Sequence, residues 1–242
     1  LISYILLFLN NNIYSSIFII LIFLTGILSD TKIISSPLIR IGLQILVIFI
    51  TVKFLNVEIY NTRVIFLDNA LSAKTFNTLF VIFCILILIN GTNFIDGLNG
   101  LALGYYIVIT IIIIFFTGEK NFFFDIENCK YFLITLFILL IYNFLNKIFI
   151  GDNGAYLLGF IYGLNLINYY QLNMNISPFF IIVLLWYPCF EILFSIIRKF
   201  NIKKSPIEPD VRHLHQLLFF YINKNFSYNK LTSNNLSSIL IL

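Results

Sequence analysis

The sequence predicts an all-α fold, a polytopic integral membrane bundle of about seven to nine transmembrane helices. Three observations lead there. Of 242 residues, 60% are hydrophobic and 11% charged, with a mean hydropathy of +0.97. Ordinary globular chains carry about 25% charged residues, so there is too little charge here to coat a water-facing surface. Long apolar runs recur between polar clusters, each near the roughly 20 residues a helix needs to cross hydrocarbon. These runs lack the period-2 alternation of barrel strands, and helices are the other structure that satisfies its own backbone in lipid. The same arithmetic excludes a soluble fold, a disordered chain, a disulfide scaffold and a nucleic-acid module.

The runs fall at residues 13–28, 41–55, 76–92, 101–117, 131–147, 156–170 and 177–197, with residues 1–9 and 233–242 as partial spans. The first closes on Ser29 and Asp30, and the second follows Arg40. The third closes on TNFIDGLNG, from which the fourth departs; the sixth follows GDNG, and the seventh enters a basic loop leading to PDVRHLH. Cys84, Cys129 and Cys189 are widely spaced and read as small apolar fillers rather than a bridge framework or a metal cluster. The chain opens on Leu1, its one methionine is Met174, and no signal peptide is visible. It therefore reads as one transmembrane domain over residues 1–242, incomplete at both ends.

Seven consecutive spans make the loops alternate between two faces. One face then holds residues 29–40, 93–100, 148–155 and 198–232, with ten lysines and arginines, counting Lys147 at the adjoining span end, against five on the other. That bias marks it as the expected cytoplasmic face. Asp30, Asp96, Asp152, Asp210, His213 and His215 all land on this face. Each loop read alone is also compatible with an ordinary capping turn. Four such loops on one face point to a shared site there.

The residue types define its chemistry. The carboxylates of Asp30, Asp96 and Asp152, with the amide oxygens of Asn90, Asn93 and Asn99, are hard donors suited to Mg²⁺ bound through one or two protein ligands and phosphate oxygens; Mn²⁺ is the alternative ion. Arg40, Lys147, Arg212, His213 and His215 supply positive charge for phosphate. Acids, a divalent cation and convergent bases together describe a phosphoryl-transfer site, where catalysis is positioning and charge neutralisation. Lys203 and Lys204 read as contacts to anionic lipid headgroups. Glu191, near the same face, reads as a structural anchor within reach of a cation such as Arg198.

The chain resembles the polyprenyl-phosphate N-acetylhexosamine-1-phosphate transferases, from about Gly26 to about Leu218. NGTNFIDGLNGLALG at residues 90–104 and NKIFIGDNGAYLLG at 146–159 carry the resemblance, and PDVRHLHQLL resembles the GlcNAc branch. The resemblance implies Asp152 as a Mg²⁺ ligand with Asn93 as a second. It implies Asp96 and Asn99 beside the nucleotide, Arg40 at phosphate, and Arg212, His213 and His215 around the pyrophosphate. Lys147 takes the basic position before the GD motif. The implied reaction moves a sugar phosphate from a UDP-N-acetylhexosamine to a polyprenyl phosphate such as undecaprenyl phosphate, releasing UMP, and the family makes a homodimer an expected assembly.

Three departures stand out. Relatives carry two adjacent aspartates where this chain has Ser29 and Asp30, leaving Asp30, or no group at all, as base toward the lipid phosphate. Ala155 follows Gly154 where relatives have serine, and the chain starts about two helices inside the family's usual length. The competing readings are a phospho-MurNAc-pentapeptide translocase, a transporter component with ionisable groups at the midplane, and an inactive remnant.

Overall fold

In a computed structural model of the chain, residues 13–117, 126–173, 175–201 and 212–242 are described. The partial span at residues 1–9 and the expectations for Lys203, Lys204 and Asp210 lie outside the described residues. Among the described residues the regular structure is all helical: α1 (Ile13–Asp30), α2 (Pro37–Leu55), α3 (Ile65–Leu71), α4 (Lys74–Ile95), α5 (Leu101–Thr117), α6 (Ile126–Phe144), α7 (Gly151–Leu172), α8 (Pro178–Leu184), α9 (Trp186–Asn201), α10 (Leu214–Asn225) and α11 (Lys230–Ile241).

Helix α7 is the central element, packing most extensively against α4 and α1. It is buried on nearly every side from Ala155 to Tyr170, as expected of an interior helix. Two glycines allow that approach. A Cβ on Gly26 would stand 2.2 Å from the Asn153 Cα, and one on Gly159 would stand 2.6 Å from the Ile89 Cα. Helices in lipid gain stability from such close contact, because burial of apolar surface gives little there. Helix α4 is flanked by α9 and α2, α5 pairs with α6, and α10 pairs with α11. The outward faces stay apolar, with Phe49 and Ile50 on α2, Phe83 on α4, Ile138 and Ile141 on α6, and Phe190 and Phe194 on α9 all exposed. An outer surface of that kind belongs against hydrocarbon rather than water.

Among the described residues, length and composition alone pick out fewer spans than the expected seven to nine. By length and composition α2 and α4 can each cross a membrane, and α8 with α9 makes a third if that bent pair is one span. The apolar stretches Ser16–Asp30, Leu101–Phe115 and Lys130–Phe144 are shorter. Helix α7 has the length, at 22 residues, but carries Asp152, Asn153, Asn165 and Asn168 in its sequence. As an interior helix its environment is protein, so uniform apolarity is not required of it.

The run at 177–197 is not continuous, since α8 and α9 meet at 73°. Pro188 is the cause: it has no N–H for the Leu184 carbonyl one turn back, and its ring crowds that carbonyl. Tyr105 on α5 closes the break, its hydroxyl donating to the Leu184 carbonyl at 2.8 Å and accepting from the Tyr187 N–H at 3.3 Å. Residues 233–242 fall in α11, which covers Lys230–Ile241. Its Asn229 cap accepts from the Thr232 N–H at 2.7 Å. The loop assigned to 198–232 likewise contains α10.

Candidate active site

The end of α1, the start of α2, the end of α4 and the start of α7 meet at one end of the bundle. GDNG, expected as a loop, is the first turn of α7, which Gly151 enters with φ +65°. Asp152 is therefore carried on a helix N-terminus, where free N–H groups and the helix dipole favour negative charge.

Four side chains converge on the Asp152 carboxylate. Asn93 Nδ2 donates to Oδ1 at 2.6 Å. Oδ2 accepts from the Ser29 hydroxyl, from Arg40 Nη1 at 3.0 Å and from the Tyr156 hydroxyl at 3.4 Å. Arg40 Nη1 also donates to Ser29 Oγ at 2.7 Å, so the three groups form a closed triangle. The Arg40–Asp152 ion pair is about a quarter exposed at each end (27% and 25%), which leaves it open to a ligand. Arg40 Nε is buried without a partner, a donor held in reserve.

Two further carboxylates reach the same helix end. Asp30 accepts from the Asp152 N–H through Oδ1 at 2.9 Å and from the Asn153 N–H through Oδ2 at 3.1 Å. Asp96, the residue that caps α4, takes the Gly151 N–H. Burial pushes the Asp96 carboxyl up to about 8; the Asp152 and Asp30 carboxylates add to the rise, and the Gly151 N–H opposes it. Three acids around one helix terminus make a site short of positive charge.

His213 and His215 stand beside this cluster. The His213 ring packs on Phe94 with centroids 5.1 Å apart, and the two histidines stack nearly parallel at 5.5 Å. His213 Nδ1 pairs with Glu191 Oε2 at 2.8 Å, and Glu191 Oε1 accepts from the Leu214 N–H at 2.9 Å. Glu191 is an anchor as expected, but it holds His213 rather than Arg198; Arg198 donates to the Arg212 carbonyl at 2.9 Å. His215 is fully buried, with Nδ1 3.2 Å from the Tyr187 hydroxyl. A Cβ on Gly97 would come 2.5 Å from its Nε2, so the ring supports the Asp96–Gly97 turn from beneath. Burial, then the His213 charge, lowers the His215 pKa to about 4.

Thus Asp30, Arg40, Asn93, Asp96 and Asp152 come together, with His213 and His215 packed against the 94–97 segment. Other candidates are engaged elsewhere. Asn90 donates to Gln44 Oε1 at 2.9 Å one turn deeper in α4. Asn99 is tied to α11, its N–H donating to Asn234 Oδ1 at 2.7 Å and its carbonyl accepting from the Ser238 hydroxyl at 2.6 Å. Lys147 is exposed in the turn before α7, and Arg212 is exposed just before α10. Tyr156 escaped the sequence reading, although its i+4 spacing from Asp152 places both on one helix face.

Among the described residues, no group of three or more His, Cys, Asp or Glu side chains is placed to hold a metal ion on its own. Asp152 with the Asn93 amide fits the other mode, in which Mg²⁺ takes one or two protein ligands and draws the rest from water and substrate phosphates. The Asp30, Asp96 and Asp152 carboxyl groups gathered at this helix end suit a cation.

Comparison with known proteins shows the family of the chain. The model of glycosyl transferase family 4 matches residues 12–170, and the chain belongs to that family. It is 26% identical over 210 residues to the undecaprenyl-phosphate alpha-N-acetylglucosaminyl 1-phosphate transferase of Thermotoga maritima, covering 86% of this chain and 62% of that protein. It is 30% identical over 152 residues to the decaprenyl-phosphate N-acetylglucosaminephosphotransferase of Mycolicibacterium smegmatis, covering 54% of this chain and 37% of that one. The chain thus spans less than two thirds of the length of these relatives. No solved structure matches it.

Proposed function

We propose that the chain belongs to an enzyme that transfers N-acetylhexosamine-1-phosphate, GlcNAc-1-phosphate first among the candidates, from a UDP-sugar to a polyprenyl phosphate. One observation carries the reading: in a glycosyl transferase family 4 chain, Arg40 and three carboxylates from four helix ends meet at the N-terminus of α7. In the reaction a lipid phosphate oxygen bonds to the sugar-bearing phosphorus of the nucleotide. The bond from that phosphorus to the bridging oxygen breaks, and UMP leaves with the electron pair.

The chain's own groups provide positioning and charge. Arg40, with an unused Nε donor, meets a phosphate oxygen once it turns from Asp152. The α7 N-terminus adds its dipole where anionic groups gather. Lipid phosphate is already largely ionised near neutral pH, so its attack does not require a protein base. A divalent ion, Mg²⁺ or Mn²⁺, would be held by Asp152 and Asn93 and would supply charge neutralisation at the pyrophosphate. The site then faces the cytoplasm, where UDP-sugars are found, in a multi-pass inner-membrane enzyme compatible with homodimer assembly.

The test is a membrane assay of the full-length protein with labelled UDP-GlcNAc. An EDTA-sensitive lipid pyrophosphate product is expected, and Asp152→Asn is expected to abolish it while the protein remains folded. No product from UDP-GlcNAc or any related UDP-sugar would sink the reading, and product from UDP-MurNAc-pentapeptide alone would reassign the donor.

A further inference from the structure

The last two residues of α1 both reach across to α7 and grip the same residue there. Asp30 engages its backbone: the two carboxylate oxygens take the N–H groups of Asp152 and Asn153 at 2.9 and 3.1 Å. Ser29 engages its side chain, the hydroxyl donating to Asp152 Oδ2 while its oxygen accepts from Arg40 Nη1 at 2.7 Å. The backbone is shaped around this grip. Gly151 enters α7 with φ +65°, and a Cβ there would stand 2.8 Å from Asp30 Oδ2. At Gly26, one turn back on α1, a Cβ would stand 2.2 Å from the Asn153 Cα. Helix α1 is thereby pressed onto the first turn of α7 with its final carboxylate serving as that helix's cap, although the two are 122 residues apart in sequence.

We infer that Ser29 and Asp30 are positioning residues, a two-point clamp that sets the backbone and the carboxylate rotamer of Asp152, rather than groups that act on the lipid phosphate. This rests on the reading of Asp152 as the functional carboxylate. Each Asp30 oxygen accepts one backbone N–H of α7, so the carboxylate is fixed to that helix end, where it already acts as the cap. Asn93 and Tyr156 complete the hold from α4 and from the next turn of α7. Partners that orient a first ligand in this way typically matter by about 10- to 100-fold, less than a group doing proton transfer in the transition state.

The clamp is tested on the full-length protein in membranes or nanodiscs with Asp30→Asn, Asp30→Ala, Ser29→Ala and Asp152→Asn. Turnover, the Mn²⁺ concentration giving half-activation, and hydrogen exchange at the amides of residues 152 and 153 are measured. Asparagine keeps one of the two acceptors and alanine neither, so Asp30→Asn should stay within about tenfold of wild type while Asp30→Ala falls about tenfold further. The 152–153 amides should exchange faster in Asp30→Ala than in Asp30→Asn. Ser29→Ala should leave those amides protected but raise the half-activating Mn²⁺ concentration by about tenfold or more. Equal losses of about 10²-fold or more in Asp30→Asn and Asp30→Ala, with unchanged amide exchange, would mark Asp30 as a reacting group and overturn the clamp. If Asp152→Asn keeps its turnover, the reading of Asp152 fails on its own, and amide exchange still decides whether Asp30 caps α7.

Discussion

Asp152 is the residue on which the site is built, with Ser29, Arg40, Asn93 and Tyr156 all directed at its carboxylate. Sequence pattern pointed to Asp152, Asn93 and Arg40, because acids and amides beside glycine at span ends stand out in so apolar a chain. It did not reveal that Asp30 bonds to α7 backbone, since capping across helices depends on tertiary approach. The two histidines illustrate the same limit of pattern. They read as solvent-facing phosphate ligands, yet His215 is fully buried under Gly97 and His213 is paired with Glu191. The buried His215 ring has a titration consequence. Its folded-state pKa of about 4 lies below the ordinary 6.5, so its contribution to stability is complete above about 6.5 and is lost as pH falls toward 4. Thermal unfolding of the purified protein between pH 7 and 4 is expected to show a steeper acid loss in wild type than in His215→Gln. Identical pH slopes would show that His215 is not buried neutral.

At the scale of elements, the broken pair α8–α9 shows how one proline organises a distant site. Pro188 frees the Leu184 carbonyl, Tyr105 takes it, and the redirected α9 then presents Tyr187 to His215 and Glu191 to His213. The sequence run at 177–197 concealed the break because hydropathy ignores backbone hydrogen bonding, although Pro188 itself was visible. Removing the hydroxyl in Tyr105→Phe strands a buried carbonyl and a buried N–H, an expected loss of about 1–3 kcal/mol in unfolding measurements. Gly26→Ala meets the α7 backbone, which cannot yield, so overpacking of about 1–3 kcal/mol is expected there. Because that clash lies one turn from the clamp, Gly26→Ala should lower turnover as well as stability. Full turnover in this variant would show that α1 and α7 tolerate separation.

For the whole molecule, the sparse charge explains the architecture. With 11% charged residues the outer faces are apolar, and the acids that matter are gathered at one end of the bundle. All-helical structure was legible from composition and run length alone, and so was the meeting of the loops that follow α1, α4 and the turn before α7. The number of spans was less legible, because α7 is interior and needs no lipid-compatible surface, and because a bent pair reads as one run. The central claim is that this converged end moves a phosphoryl group and not a bare sugar. The direct measurement uses the full-length protein in membranes with polyprenyl phosphate and UDP-GlcNAc labelled in the sugar-bearing phosphate, following the released nucleotide and the lipid together. The account predicts UMP as the released nucleotide, with the phosphate label carried into the lipid in equal amount. Release of UDP with an unlabelled lipid product would contradict it.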